Sequence, residues 1–117
     1  MRKMTGKFEE LYRKQIDFQM ILSDNKLPVD DVKEFQYHMT AMTEELGEVL
    51  KADKRWKTHR NTTYNREEKL DELADCFITL MNLYIYSGFN TNDILDTVRD
   101  KIKINLERLK KEILKDE

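Results

Sequence analysis

TEELGEVLKADKRWKTHRNTTYNREEKLDELADCFITLMNLYIYSG, Thr43 to Gly88, is the stretch on which the rest of the chain hangs. It opens with Glu44-Glu45-Leu46-Gly47-Glu48, crosses a basic, turn-like segment, and returns with Asp71-Glu72-Leu73-Ala74-Asp75 before a long apolar run. Carboxylates three residues apart on a helix share a face. Two such pairs on neighbouring helices point Glu45, Glu48, Glu72 and Asp75 into one small volume. Four acids so placed repel one another and resist desolvation unless a cation sits between them. Ligands made of oxygen alone, with no Cys or His, select a hard ion such as Mg²⁺, with Mn²⁺ as the alternative.

Helical phase separates the acids from one another. Over a helix expected from about Asp30 to His59, Phe35, Met39, Met42, Leu46 and Val49 form a central apolar stripe. Glu45 and Glu48 share one flank of it with His38, Ala41 and Ala52, while Glu44 projects from the far side. Gly47 costs about 1 kcal/mol relative to Ala inside a helix, which predicts a neighbour packed close against it. Arg55 and His59 are expected to continue the acid flank, and Trp56 the stripe. Residues Arg60 to Asn65 read as a loop.

The next helix, about Arg66 to Ser87, carries Leu70, Leu73, Ala74, Phe77, Leu80, Met81 and Tyr84 on one face. Cys76, Ile78, Leu83 and Ile85 extend that face nearly all round, which predicts burial on most sides. Glu72, Asp75, Thr79, Asn82 and Tyr86 nonetheless form a narrow polar strip. Buried acids without a partner are costly, so the strip argues for a cation. Cys76 lies off the strip and reads as a small core residue. The two histidines lack a partner at metal-ligand spacing.

Two outer helices complete the pattern. The first, about Thr5 to Ser23, places Phe8, Leu11, Tyr12, Gln15, Phe18 and Leu22 on one side, a core stripe; a second reading has Gln15 and Gln19, on its flank, reaching a ligand. Ser23 to Lys26 is turn chemistry, and Pro28, Asp30 and Asp31 announce the following helix. Gly88 suits the position just past a helix end. Thr91 or Asn92 then caps a last helix, about Asp93 to Leu114, with Lys110 to Glu117 expected to fray. Leu95, Val98, Ile102, Leu106, Leu109 and Ile113 are its expected core stripe. Lys101, Asn105 and Arg108 form a separate strip, suited to gripping phosphate with one point charge and one planar fork.

Bulk properties agree with a single helical domain over residues 1–117. Charged residues make up 38%, with only 3 Gly and 1 Pro. A net charge of −2 argues against non-specific nucleic-acid binding. The lone Cys76 cannot close an internal disulfide, so a reducing, cytoplasmic setting is expected. No apolar run reaches membrane-span length, and the N-terminus lacks a signal-peptide pattern. The expected fold is an all-α four-helix bundle with short antiparallel connections. Its third helix is apolar on more sides than three neighbours cover, which predicts a homodimer or homotetramer.

E-E-x-x-E followed by E-x-x-D, with Lys101-x-x-x-Asn105-x-x-Arg108 downstream, resembles the MazG-like all-α nucleoside triphosphate pyrophosphohydrolases. That superfamily includes the dimeric dUTPases, and Lys54-Arg55-Trp56-Lys57 is similar to the basic and aromatic segment of the dUTPase branch. The likeness runs from about Val32 to Leu109. It implies a bundle of that type assembled as an oligomer. It also implies Mg²⁺-dependent hydrolysis of a nucleoside triphosphate between its α and β phosphates. Glu45, Glu48, Glu72 and Asp75 would hold the metal, with Glu45 orienting the attacking water. Lys101, Arg108 and Arg55 would neutralise the triphosphate, Asn82 and Asn105 would bond sugar or phosphate, and Trp56 would stack on the base. A neighbouring chain's Arg55–Tyr64 segment is expected to wall part of each site.

Three other readings stand beside this one. A dUTP- or dCTP-specific enzyme is the narrower version, since one sequence does not place the groups that choose a base. Phosphoribosyl-ATP pyrophosphohydrolase fits less well, because Cys76-Phe77-Ile78-Thr79 stands where a Tyr-His pair is expected. A helical dimerisation module without catalysis is the third, and buried acids argue against it.

Overall fold

The computed structural model describes residues 2–116, with side chains over residues 6–115. Four helices follow one another: α1 (Arg2–Leu22), α2 (Val32–Ala52), α3 (Arg66–Ile85) and α4 (Thr91–Asp116). Among the described residues the nearest thing to a strand is a lone antiparallel bridge between Asp53 and Tyr64. The fold is all-α with four helices, as expected. None of them is long and apolar enough to cross a membrane.

Side-chain caps set the helix starts. Asp31 stands in extended backbone and accepts from the Glu34 N–H at 3.1 Å; Asn65 accepts from Glu67 and Glu68 at 3.0 and 3.1 Å. Asn90 accepts from Asp93 at 2.8 Å, so the cap of α4 falls just before the expected Thr91 or Asn92. At the end of α3, Gly88 adopts φ +80°. Its N–H reaches the Ile85 carbonyl and the Phe89 N–H reaches that of Tyr84, while the Phe89 and Tyr84 rings meet edge-on. This paired closure needs a residue free of a Cβ penalty in the left-handed region.

The periodicity predicts a helix running to His59, but α2 stops at Ala52. Asp53 competes with the helix by folding back, accepting from the Arg55 N–H at 3.1 Å. Its carboxylate also takes the Arg55 guanidinium at 2.9 and 2.8 Å and the Lys69 ammonium at 2.8 Å. Arg55 in turn sits over the Tyr64 ring, its guanidinium carbon 3.5 Å from the centroid. Arg55, Trp56 and His59 therefore sit in a clipped loop rather than on the flank and stripe of α2. Trp56 is exposed.

α2 and α3 run antiparallel, with His38 beside Asn82, Glu45 near Asp75, and Asp53 on Lys69. α1 lies against α3, and their shared core is Tyr12, Met81, Ile85, Tyr86 and the α4 residue Ile94, flanked by Phe8, Ile16 and Tyr84. The Tyr12 hydroxyl donates to the Phe89 carbonyl at 2.7 Å, and burial, then the Tyr84 charge, push its pKa up to about 12.

Beyond its first turns α4 leaves this core. Every residue from Asp96 to Lys115 is exposed, a rod about 30 Å long. The radius of gyration, 18.1 Å, exceeds the roughly 13 Å of a compact chain this long. One chain therefore does not close a bundle around a common centre. Val98, Ile102, Leu106, Leu109 and Ile113 are exposed rather than core, as are Leu11, Phe18 and Leu22 on α1 and Leu70, Leu73 and Phe77 on α3. On α1 the inward edge is instead Tyr12, Gln15, Ile16 and Gln19. The last residues of α4 stay helical to Asp116 instead of fraying.

Gly47 also departs from expectation, since a Cβ built there meets nothing within 4 Å. With no neighbour requiring the glycine, Gly47→Ala should stabilise the chain by about 1 kcal/mol, read as a higher denaturant midpoint.

Candidate metal centre and adjoining pocket

Glu45 on α2 and Glu72 and Asp75 on α3 bring carboxylate oxygens within 4.8 Å of one another. One-turn spacing puts the two α3 acids on the face that meets α2. Glu45 and Glu72 are half-buried and Asp75 is exposed, so the polar strip is open at its acid end rather than buried throughout. Burial raises the Glu45 carboxyl pKa, and Asp75, Glu44 and Glu48 raise it further. Glu72 is raised the same way, by burial and then by Asp75, Glu48, Glu45 and Glu68. Three hard oxygen donors that repel one another fit a Mg²⁺ ion by donor chemistry.

Glu48 stands at the edge of the group. It is close enough to act on Glu45 and Glu72, yet its carboxylate pairs with Lys51 at 3.4 Å. Cys76 adjoins the acids, and burial together with their charges pushes its thiol up, away from the thiolate a nucleophile needs.

The strip continues into a set of buried polar side chains. Thr79, Asn82 and Tyr86 are buried, and Asn82 accepts from Gln15 at 2.9 Å while its amide nitrogen lies 3.5 Å from His38 Nδ1. Tyr86 donates to Gln19 at 3.0 Å and lies parallel to the His38 ring, 5.3 Å away. His38 is buried, and burial lowers its pKa against the opposing pull of Glu34. Its Nε2 has no hydrogen-bond partner, with the Glu34 carboxylate 3.5 Å off and short of bonding geometry. Gln19, Glu34, Tyr37, His38, Asn82 and Tyr86 line a cavity of about 440 Å³.

The structure thus unites Glu45, Glu72 and Asp75, keeps Glu48 beside them, and places Asn82 at the far end of the same strip. It ties Arg55 to Asp53 and leaves Trp56 exposed, its indole N–H 3.4 Å from the Leu50 carbonyl. Lys101, Asn105 and Arg108 stand exposed on the projecting part of α4. They form no ion pair among the described residues. His38 and Glu34 were missed as pocket residues. His38 carried a signal, since its phase puts it on the acid flank.

The raised carboxyls set a pH dependence. A group whose folded pKa lies above its unfolded value binds its proton more tightly when folded. Its ionisation therefore subtracts stability as pH rises from the ordinary 4.5 through the folded value. Glu72→Gln should melt above the wild type at pH 7, with the gap closing near pH 4. Thermal circular dichroism at the two pH values reads the difference.

No family model, curated protein or solved structure matches the chain.

Proposed function

We propose that this chain is a Mg²⁺-dependent nucleoside triphosphate pyrophosphohydrolase, releasing a monophosphate and pyrophosphate. The observation that carries the reading is the convergence of Glu45, Glu72 and Asp75 beside an open cleft, lined by polar and apolar groups, large enough for a heterocycle. The choice of the α–β bond comes from the resemblance of the acid and basic motifs to the MazG-like enzymes.

In this scheme Glu45, Glu72 and Asp75 hold the ion, with Glu48 supporting them. Bound Mg²⁺ would polarise phosphoryl oxygens and lower the pKa of water. Glu45 orients the attacking water and accepts its proton. The base enters the cavity, where Gln19, Asn82 and the unpartnered His38 Nε2 offer donors and acceptors between aromatic rings. Lys101, Asn105 and Arg108 act on the phosphates in an assembled homodimer or homotetramer, where α4 of one chain meets the acids of another. The reaction would serve control or sanitation of a cytoplasmic nucleotide pool, and a dUTP- or dCTP-specific enzyme is its narrower form.

The test is a panel of canonical and modified nucleoside triphosphates with Mg²⁺, scored for pyrophosphate against orthophosphate. Metal-dependent pyrophosphate release supports the proposal. Orthophosphate alone would overturn the choice of the α–β bond, and no turnover of any member would return the chain to a non-catalytic helical module.

A further inference from the structure

Gln15, Asn82 and His38 form a hydrogen-bonded chain that works in either direction. Gln15 Nε2 lies 2.9 Å from Asn82 Oδ1, and Asn82 Nδ2 lies 3.5 Å from His38 Nδ1. Both amides carry a donor end and an acceptor end of nearly the same size, so turning each one over leaves the packing unchanged. In the first state Asn82 donates to a bare Nδ1, and the ring proton sits on Nε2. In the second, Nδ1–H donates to the Asn82 oxygen, the Asn82 nitrogen donates to the Gln15 oxygen, and Nε2 is bare. His38 Nε2 is a donor in one state and an acceptor in the other.

The ring itself is held still. Tyr86 lies parallel to it at 5.3 Å, Tyr37 meets it edge-on at 5.0 Å, and His38 is 6% exposed. Burial lowers its pKa from the ordinary 6.5, which keeps the imidazole neutral at pH 7. Nε2 borders the cleft and has no hydrogen-bond partner, a costly state that a ligand atom would relieve. The Glu34 carboxylate, 3.5 Å away, favours Nε2–H in the free chain.

We infer that His38 is a two-way reader of the base: its Nε2 donates to a keto oxygen or, with the Asn82 and Gln15 amides turned over, accepts from an amino group. One cleft then takes both uracil-like and cytosine-like bases. The choice of ligand rests on the nucleotide reading above; the relay does not. A fixed donor would reject an amino group by setting N–H against N–H. Here the Nε2–H bond breaks instead, its proton passing to Glu34 and on to water, and an N–H bond forms at Nδ1 with a proton from water. No net proton is taken up.

The test uses the full chain with isotope-labelled histidine, and His59→Gln leaves His38 as the single imidazole. Two-bond proton–nitrogen spectra at pH 7 show which ring nitrogen carries the proton. Without nucleotide, Gln15→Lys, able only to donate to Asn82, should hold the proton on Nε2. Gln15→Glu, able only to accept, should move it to Nδ1. One tautomer in both folded variants overturns the relay. In the parent chain dUMP should keep the proton on Nε2 and dCMP should move it to Nδ1, a comparison that stands even if the variants fail to fold. An Nε2 proton retained with dCMP overturns the inference. In turnover, kcat/KM for dUTP and dCTP should agree within about tenfold, and the two Gln15 variants should tilt the ratio in opposite directions by about tenfold. Cleavage of only one of the two overturns this inference and leaves the pyrophosphohydrolase reading standing. Absence of all turnover overturns that reading, while the spectra still decide this one.

Discussion

Asp75→Asn or Glu45→Gln is expected to lower pyrophosphate release by on the order of 10²–10³-fold while leaving the helical signal intact. Each substitution keeps the side-chain volume and removes one of three converging charges. Partial exposure of these acids means that no packed core is disturbed. Stability should move the other way, because the raised pKa of Glu45 marks a cost of burying the charge, with repulsion from Asp75, Glu44 and Glu48 added, that the glutamine removes. An inactive variant that melts higher than wild type would locate the effect in chemistry rather than folding. Glu44→Gln, on an exposed side chain, should keep most of the activity. Glu48→Gln should fall between them, since that carboxylate is already shared with Lys51 at 3.4 Å. Wild-type turnover by Asp75→Asn would remove the site as described.

Ile85→Ala is the other large effect, expected to cost about 2–5 kcal/mol of stability. Ile85 is buried in the small cluster with Tyr12, Met81, Tyr86 and Ile94, where α1, α3 and α4 meet. A domain of this size has about 5–15 kcal/mol in hand, so the loss is a large share of the total. The cavity would open beneath the start of α4, which has few other supports. Chemical denaturation should show a midpoint shift, and hydrogen exchange should show α1 and α4 loosening before the α2–α3 hairpin. Equal loss of protection in all four helices would mean that the hairpin depends on this cluster as well.

The helices and acid pairs were legible because they rest on local signals. Heptad-like spacing, Asp31 and Asn65 before their helices, and Gly88 after α3 each act within a few residues. Phase fixes the face that Glu72 and Asp75 share on α3 and the flank of Glu45 and Glu48 on α2; the antiparallel pairing of the two helices then brings Glu45 to the α3 acids, while Glu48 stays at their edge beside Lys51. The end of α2 did not come out, because Asp53 breaks the helix by binding Arg55 and by reaching Lys69 from the next helix. A periodicity continuing through Arg55, Trp56 and His59 was coincidental. The stripes on α1 and α4 were read as core because spacing reports that a face is apolar, not what covers it. Glutamines flanking an apolar stripe carried the complementary signal: Gln15 and Gln19 turn inward because Asn82 and Tyr86 offer them partners.

The Asp53 clip gives the hairpin a response to acid opposite to that of the site. Arg55 and Lys69 hold the Asp53 carboxyl well below the usual carboxylate range. A group depressed in this way stabilises the fold above its unfolded pKa, and the benefit fades as pH falls toward the folded value. Protonation relieves Glu45 and Glu72 earlier in the descent, above their ordinary 4.5, whereas the Asp53 clip weakens only below its ordinary 3.8. Mild acid therefore quiets the acid cluster while the Asp53–Tyr64 loop stays fastened, and only strong acid undoes it. Amide exchange around Glu45 and Glu72 should slow first on acidification, relative to the intrinsic rate, and exchange across the loop should quicken only below about pH 4.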